Sequence, residues 1–398
     1  MHEPTQTLVQ LRGIIGNLKQ GGGSMTPSTY GTAQVLRFCP ELVETDKVVN
    51  WLLGRQQPDG GWGEPGPSLY RIVPTAAALL ALHTYRASER VRGACAAGER
   101  FLAEQDEPIE AEQGEYLPVA MELILPRLLD EAAEIGLALP RARFRYLEEL
   151  GVRRRKLFAA RHPAPDSAAM FSWEAWGGEP KAEFVRGGGV GCNPAATAWW
   201  LHLDRANPPS AARRQALDVL RQASQAAGIL GVVPDAWPMD RFEQSFVLYL
   251  AAIAGLARDP HLADVLAPQL EDLRLAVGDH GIGFSDYVER DGDDTAAAVV
   301  ALAAAGVPID YSVLNTFTRG DRCVAYPFET HGSFAVTARA AHAAHILGRE
   351  ADEWRPYILS AQQPDGWWTG DKWNRSRVFG TCLAMTALSD AEDPAAPA

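Results

Sequence analysis

Apolar residues in this chain recur at helical spacing, and Val, Ile and Thr nowhere alternate with polar residues over a long run. That pattern predicts helices and no substantial sheet. Leu8, Leu11, Ile14, Ile15 and Leu18 line one face of an amphipathic first helix, which Gly21-Gly22-Gly23-Ser24 breaks before Thr26-Pro27-Ser28 opens a second. Ala/Leu-rich runs from Thr75 to His83, Ala296 to Leu302 and Thr381 to Leu388 predict further, apolar helices. Asn193-Pro194 opens another that runs into Trp199-Trp200. Residues 160–190, rich in Pro, Gly and Trp, read as a long connection, Val233 to Glu243 as a boundary loop, and the acidic, Pro/Ala-rich 391–398 as a disordered tail.

Two of the Ala/Leu-rich helices follow the same motif. Q-Q-P-D-G-x-W occupies Gln56 to Trp62 and again Gln362 to Trp368, and His280-Gly281-Ile282-Gly283-Phe284 reads as a weaker copy. Pro-Asp-Gly turns the chain, Gln reaches backbone groups, and Trp covers the end of the next helix. Such motifs are staples rather than site residues. Their repetition predicts stacked helical hairpins, an all-α toroid of the α/α type.

With 398 residues the chain is long enough for two domains and a large core. A net charge of −13 argues against nucleic acid as the main partner, although a few local cations would suffice for a phosphorylated small molecule. Cys39, Cys95, Cys192, Cys323 and Cys382 stand singly, with no CxxC pair, which suits reduced thiols and a cytoplasmic home. No signal peptide and no apolar run of membrane-spanning length is visible.

The chemistry-bearing stretch is Glu289-Arg290-Asp291-Gly292-Asp293-Asp294-Thr295, which runs straight into the apolar Ala296 to Leu302. Acids at a helix start have a structural explanation, since they complement free N–H groups and the helix dipole. Capping needs only one or two, however, and three so close repel one another, so some of them resist ionisation. A carboxylic acid kept protonated near neutral pH can act as a general acid. At the mouth of an apolar helix it suits protonation of something greasy.

Several segments carry a family resemblance. Asp291-Gly292-Asp293-Asp294-Thr295-Ala296 (D-x-D-D-T-A) and the paired Q-W motifs resemble class II terpene cyclases, in particular the bacterial class II diterpene cyclases related to copalyl diphosphate synthases. Ser28 to Val35 is similar to that family's S-A-Y-D-T-A-W-V. Tyr116-Leu117-Pro118 through Pro126 resembles its H-M-P-I-G-F-E-x-x-F-P, and Ile135-Gly136-Leu137 the L-G-L that follows. Gly191-Cys192-Asn193-Pro194-Ala195-Ala196-Thr197-Ala198 resembles G-x-S-P-A-A-T-A, Val233 to Glu243 resembles V-P-x-x-Y-P-x-D-x-F-E, and Asp371-Lys372-Trp373-Asn374-Arg375-Ser376 resembles D-K-W-H-x-S. Departures are Gly31 and Gln34 for an Asp and a Trp, Asn374 for a His, and carboxylates lost from the acidic segment at Glu110 to Glu115.

The resemblance implies two α/α-barrel domains of the βγ type: 1–50 the first part of β, 51–230 an inserted γ domain, and 231–390 the rest of β with the acidic motif, the active site lying between them. Family members usually continue beyond Leu388, so the β barrel is expected to be incomplete at the C-terminus, closed differently, or completed by a partner. The implied reaction is protonation-initiated cyclisation of a linear prenyl diphosphate, geranylgeranyl diphosphate being favoured, to a bicyclic copalyl-type diphosphate. Asp293 would give the proton, with Asp291 and Asp294 tuning it. Aromatic faces would stabilise the cation, with Trp173, Trp176, Trp237, Tyr326, Phe328, Phe334 and Trp373 as candidates. Lys372, Arg375 and Arg377 would hold the diphosphate, and Glu110, Glu112 and Glu115 a Mg²⁺ ion. No D-D-x-x-D metal motif occurs, which favours a product that keeps its diphosphate for a downstream class I synthase. A second copy of the chain is a further candidate partner.

Three other readings compete. A farnesyl diphosphate cyclase of the drimenyl type would use the same acids. A non-catalytic homologue would bind prenyl diphosphate only, its early C-terminus compromising activity. A protein prenyltransferase-like zinc site would need Asp321, Cys323 and His342 or His345, but the His follows too soon and D-x-D-D is left unexplained.

Overall fold

The computed structural model describes residues 6–104, 117–329, 331–371 and 376–389. Its helices in chain order are α1 (Gln6–Gly16), α2 (Thr29–Phe38), α3 (Thr45–Gly54), α4 (Ile72–Leu82), α5 (Glu89–Ala103), α6 (Met121–Glu134), α7 (Arg145–Arg161), α8 (Pro194–Asp204), α9 (Ala211–Ala223) and α10 (Asp240–Ile253). They continue with α11 (Ala263–Val277), α12 (Gly292–Ala305), α13 (Phe334–Ile346), α14 (Arg355–Ser360) and α15 (Arg377–Leu388). Among the described residues the only strands are Thr318–Arg319 and Arg322–Cys323, an antiparallel pair. The fold is all-α, as the periodicity predicts.

The chain forms two compact units, one split (residues 1–23 with 239–398) and one continuous (24–238). The expected inserted domain was 51–230. Residues 24–50 belong with it because α2, buried from Thr29 to Leu36, packs against α4 and α8. Ser28 N donates to Val233 O at 2.9 Å and Glu44 N to Leu230 O at 3.0 Å, tying the two ends of the continuous unit together. In the split unit α1 packs on α11, and Arg12 grips Asp264 through two bonds of 2.7 and 2.6 Å.

Each unit is built around a helix that is apolar on every side, which is what a central helix requires. In the continuous unit it is α4, buried from Thr75 to Leu82 and flanked by α2, α5 and α6. In the split unit it is α12, buried from Asp294 to Ala303 between α10, α11 and α13.

The repeated motif is a staple in both units. Trp62 Nε1 donates to Leu52 O at 2.7 Å and Trp368 Nε1 to Ile358 O at 2.8 Å, so each ring, fully buried, ties back to the preceding helix. Gln56 and Gln362 each donate to a glycine carbonyl four residues on, Gly60 at 2.8 Å and Gly366 at 3.1 Å. Gly98 faces Trp62 so closely that a Cβ there would fall 2.6 Å from the ring. The forward tie is a threonine. Trp62 N donates to Thr75 Oγ1 at 2.8 Å and Trp368 N to Thr381 Oγ1 at 3.1 Å, and the weaker copy does the same through Ile282 N and Thr295 Oγ1 at 3.1 Å. The third repeat is therefore genuine, with Ile282 in the tryptophan position, and it sets the start of α12.

Candidate active site

Asp291 caps α12: its Oδ1 accepts from Asp294 N at 2.8 Å. Thr295 Oγ1 donates to Asp291 O at 2.6 Å, and Asp291 N to Ile282 O at 2.9 Å, which fixes the cap's backbone. Gly292 is required next, because a Cβ there would meet Val324 O at 2.6 Å and Val336 Cγ1 at 2.8 Å. These bonds send the three carboxylates in different directions.

Asp294 is buried and accepts from Ser245 Oγ of α10 at 2.8 Å. Asp291, equally buried, is occupied by the helix start. Asp293 alone has an open side chain, 25% exposed, and its Oδ1 accepts from Arg339 Nη1 of α13. Arg339 is wholly buried, and its Nε and Nη2 make no hydrogen bond among the described residues. Its guanidinium instead lies over Phe246 at 4.7 Å, Tyr249 at 5.3 Å and Phe379 at 5.4 Å, faces that attract a cation.

All three acids have raised pKa values, and the main cause is burial rather than crowding. For Asp291 burial comes first and the Asp294 charge second. Asp294 is pushed up to about 7 by burial, against the Ser245 hydrogen bond. Asp293 is raised by burial, with the Arg339 charge opposing and the Asp371 charge adding. Asp371 itself accepts from Ser333 Oγ, the cap of α13, and from Ala335 N at 3.3 Å. The site thus holds a desolvated acid with an open face and a cation waiting beside it.

The other expected site residues are scattered. Tyr326 is buried close enough to Asp291 and Asp294 for their charges to raise its hydroxyl further, after burial; it stacks on the half-exposed Phe328 with centroids 5.6 Å apart. Phe334 is buried at the start of α13. Arg377 lies over Trp367 at 4.2 Å, at the start of α15. Trp173 and Trp237 sit in the core of the continuous unit, Trp173 5.7 Å from Phe184, and Trp176 packs on Phe158 at 4.9 Å. Lys372, Trp373, Arg375, Glu110, Glu112 and Glu115 lie outside the described residues. No cluster of three or more His, Cys, Asp and Glu able to hold a metal occurs among the described residues, so Asp321, Cys323 and the histidines do not assemble a zinc site. Arg339, Ser245, Phe246, Tyr249 and Phe379 are the partners that pattern reading missed.

Among the described residues no helix is long and apolar enough to cross a membrane. No protein-family model matches the chain. It is 42% identical to a (+)-kolavenyl diphosphate synthase of Herpetosiphon aurantiacus over 401 residues, 96% of this chain and 77% of that protein. To a copalyl diphosphate synthase of Streptomyces cyslabdanicus it is 30% identical, covering 94% of this chain and 74% of the other. The solved ent-copalyl diphosphate synthase of Streptomyces platensis superposes with a TM-score of 0.77 at 26% identity, over 97% of this chain and 80% of that one. With this likeness, and with D-x-D-D at the mouth of its central helix, the chain belongs to the class II diterpene cyclases.

Proposed function

We propose that the chain cyclises geranylgeranyl diphosphate to a bicyclic copalyl- or kolavenyl-type diphosphate, the diphosphate being retained, with Asp293 as the general acid. The observation that carries this reading is the division of labour among the acids: Asp291 and Asp294 are sealed and bonded, while Asp293 is open on one side and backed by Arg339 on the other.

An alkene is a very weak base, so its acid must be present in protonated form and yet give the proton up. Burial supplies the first condition by raising the Asp293 pKa, and Arg339 the second by favouring the carboxylate. In the reaction the Asp293 proton goes to the terminal alkene carbon and the O–H electrons remain on the carboxylate, which the Arg339 charge then stabilises. Successive alkenes close rings onto the cation, and loss of one proton to a base ends the sequence. The overall change is an isomerisation with no bond to phosphorus broken. Ordered donors that meet charge as it develops are the main source of such rate enhancement. The names of the relatives, kolavenyl and copalyl diphosphate synthases, support a C20 product that keeps its diphosphate.

The test is incubation of the purified chain with geranylgeranyl and with farnesyl diphosphate, followed by dephosphorylation and product analysis. A bicyclic C20 alcohol is expected. Preferential turnover of the C15 substrate selects the drimenyl-type reading, and consumption of neither contradicts catalysis.

A further inference from the structure

One helix carries charge opposite to that of the chain. Residues 141–161 hold seven arginines and one lysine against two glutamates, in a protein of net charge −13. Both glutamates are engaged, Glu148 by Arg141 at 2.6 Å and Glu149 by Arg145 at 3.4 Å. Helix α7 is anchored along Leu147, Gly151 and Phe158, whose spacing keeps them on one stripe. Leu147 and Gly151 are buried, a Cβ at Gly151 would fall 2.1 Å from Glu122 O, and Phe158 packs on Trp176.

At about 100° per residue, Arg153, Lys156, Leu157, Ala160 and Arg161, spaced i, i+3, i+4, i+7 and i+8, form a second stripe roughly 130° around the helix from the first. All five are exposed. Arg153, Lys156 and Arg161 have no ion pair among the described residues, so nothing described neutralises them.

We propose that this face of α7 docks the protein on an anionic lipid surface. The charges are complementary, and Leu157 and Ala160 lie between the cations where a helix resting on a bilayer places apolar groups at the headgroup boundary. The long basic side chains keep their charged ends at the phosphates while their stems lie over lipid. A nucleic acid would meet the same cations but offers no apolar layer for Leu157. The docking rests on α7 alone and does not depend on the cyclase reading. Under that reading it brings the enzyme to the phase into which a long-chain prenyl substrate partitions. Each cation held near such a surface strengthens binding about fivefold, and salt screens the effect.

The experiment is co-sedimentation of the full chain with vesicles of phosphatidylcholine alone and of equal parts phosphatidylcholine and phosphatidylglycerol. The chain is expected to sediment with the anionic vesicles at low salt, to be released as salt rises, and to ignore the zwitterionic ones. The triple variant Arg153→Glu, Lys156→Glu and Arg161→Glu should lower anionic partitioning by at least about a hundredfold, with unchanged circular dichroism and melting temperature. Leu157→Ser should weaken it to a smaller extent. Equal partitioning of native and triple variant, no sedimentation of the native chain with anionic vesicles, or tighter binding to duplex DNA than to those vesicles would each overturn the proposal.

Discussion

Helix α4 of the continuous unit and helix α12 of the split unit are built over the same frame. In each, a threonine hydroxyl accepts from a backbone N–H thirteen residues earlier (Trp62 N to Thr75 at 2.8 Å, Ile282 N to Thr295 at 3.1 Å). In each it also donates 2.6 Å to the carbonyl four residues back. They differ in the residues between. Where α4 has Val73 and Pro74, α12 has Asp293 and Asp294. Pro74 has no N–H to satisfy, so α4 needs no acceptor at that position, whereas the Asp294 N–H is met by Asp291. The frame therefore accounts for one acid of the three. The α4 frame does without Asp293 and Asp294, which costs the chain desolvation at α12 that α4 avoids.

The largest effect on stability belongs to what stands at the head of the frame. Trp62→Ala should cost about 3–5 kcal/mol in denaturant unfolding, by removing a fully buried ring and its tie to Leu52. A cost under 1 kcal/mol would mean that the staple does not organise the unit. Next comes what only α12 has. Arg339→Met removes the cation behind Asp293, and turnover should fall on the order of 10²–10³ if Arg339 stabilises the carboxylate formed during reaction. Undiminished turnover would leave Arg339 a packing residue.

Thr75→Val and Thr295→Val probe what the two helices share. Each leaves a buried N–H unmet and should cost about 1–3 kcal/mol, with similar values if the frames are equivalent. A clear inequality would separate them. A pH dependence probes the acids that only α12 carries. Because folding raises the Asp294 pKa to about 7 from about 3.9, the folded state holds the proton more firmly across that window. Stability contributed by the protonated group is thus greatest at the acid end and is lost as pH rises toward 7. Buried Glu174, also raised to about 7 by desolvation, adds a decline of the same sign from the continuous unit. Melting temperatures of Asp294→Asn should fall less over this range than those of the native chain.

Much of this was legible in the chain's pattern. A central helix must be apolar on every side, so the Ala-rich runs marked α4 and α12, while the third run lies in α15, a helix exposed at Cys382 and Met385; the Q-W motifs marked two staples. The third was faint because Ile282 replaces the tryptophan, and the tie that survives is a side chain to backbone bond, which hydrophobic periodicity does not register. The acid trio stood out because a helix cap needs only one or two acids. Its physics was only half readable: crowding is visible in sequence, but burial, the larger cause, requires the fold. Arg339 was missed because one arginine on an Ala-rich helix resembles a solvated charge. An isolated cation on a helix otherwise suited to full burial is the signal that would have found it. Phe246 and Tyr249 carry no signal in the sequence beyond two aromatics at helical spacing.

The central claim is that Asp293 is present for chemistry and not for the helix start. Turnover and thermal stability of Asp293→Asn, measured on one preparation, test it directly. The amide keeps the shape but has no acidic proton, so turnover should drop by at least on the order of 10²–10⁴ while stability changes little. Near-native turnover would contradict the account and remove Asp293 from the reaction.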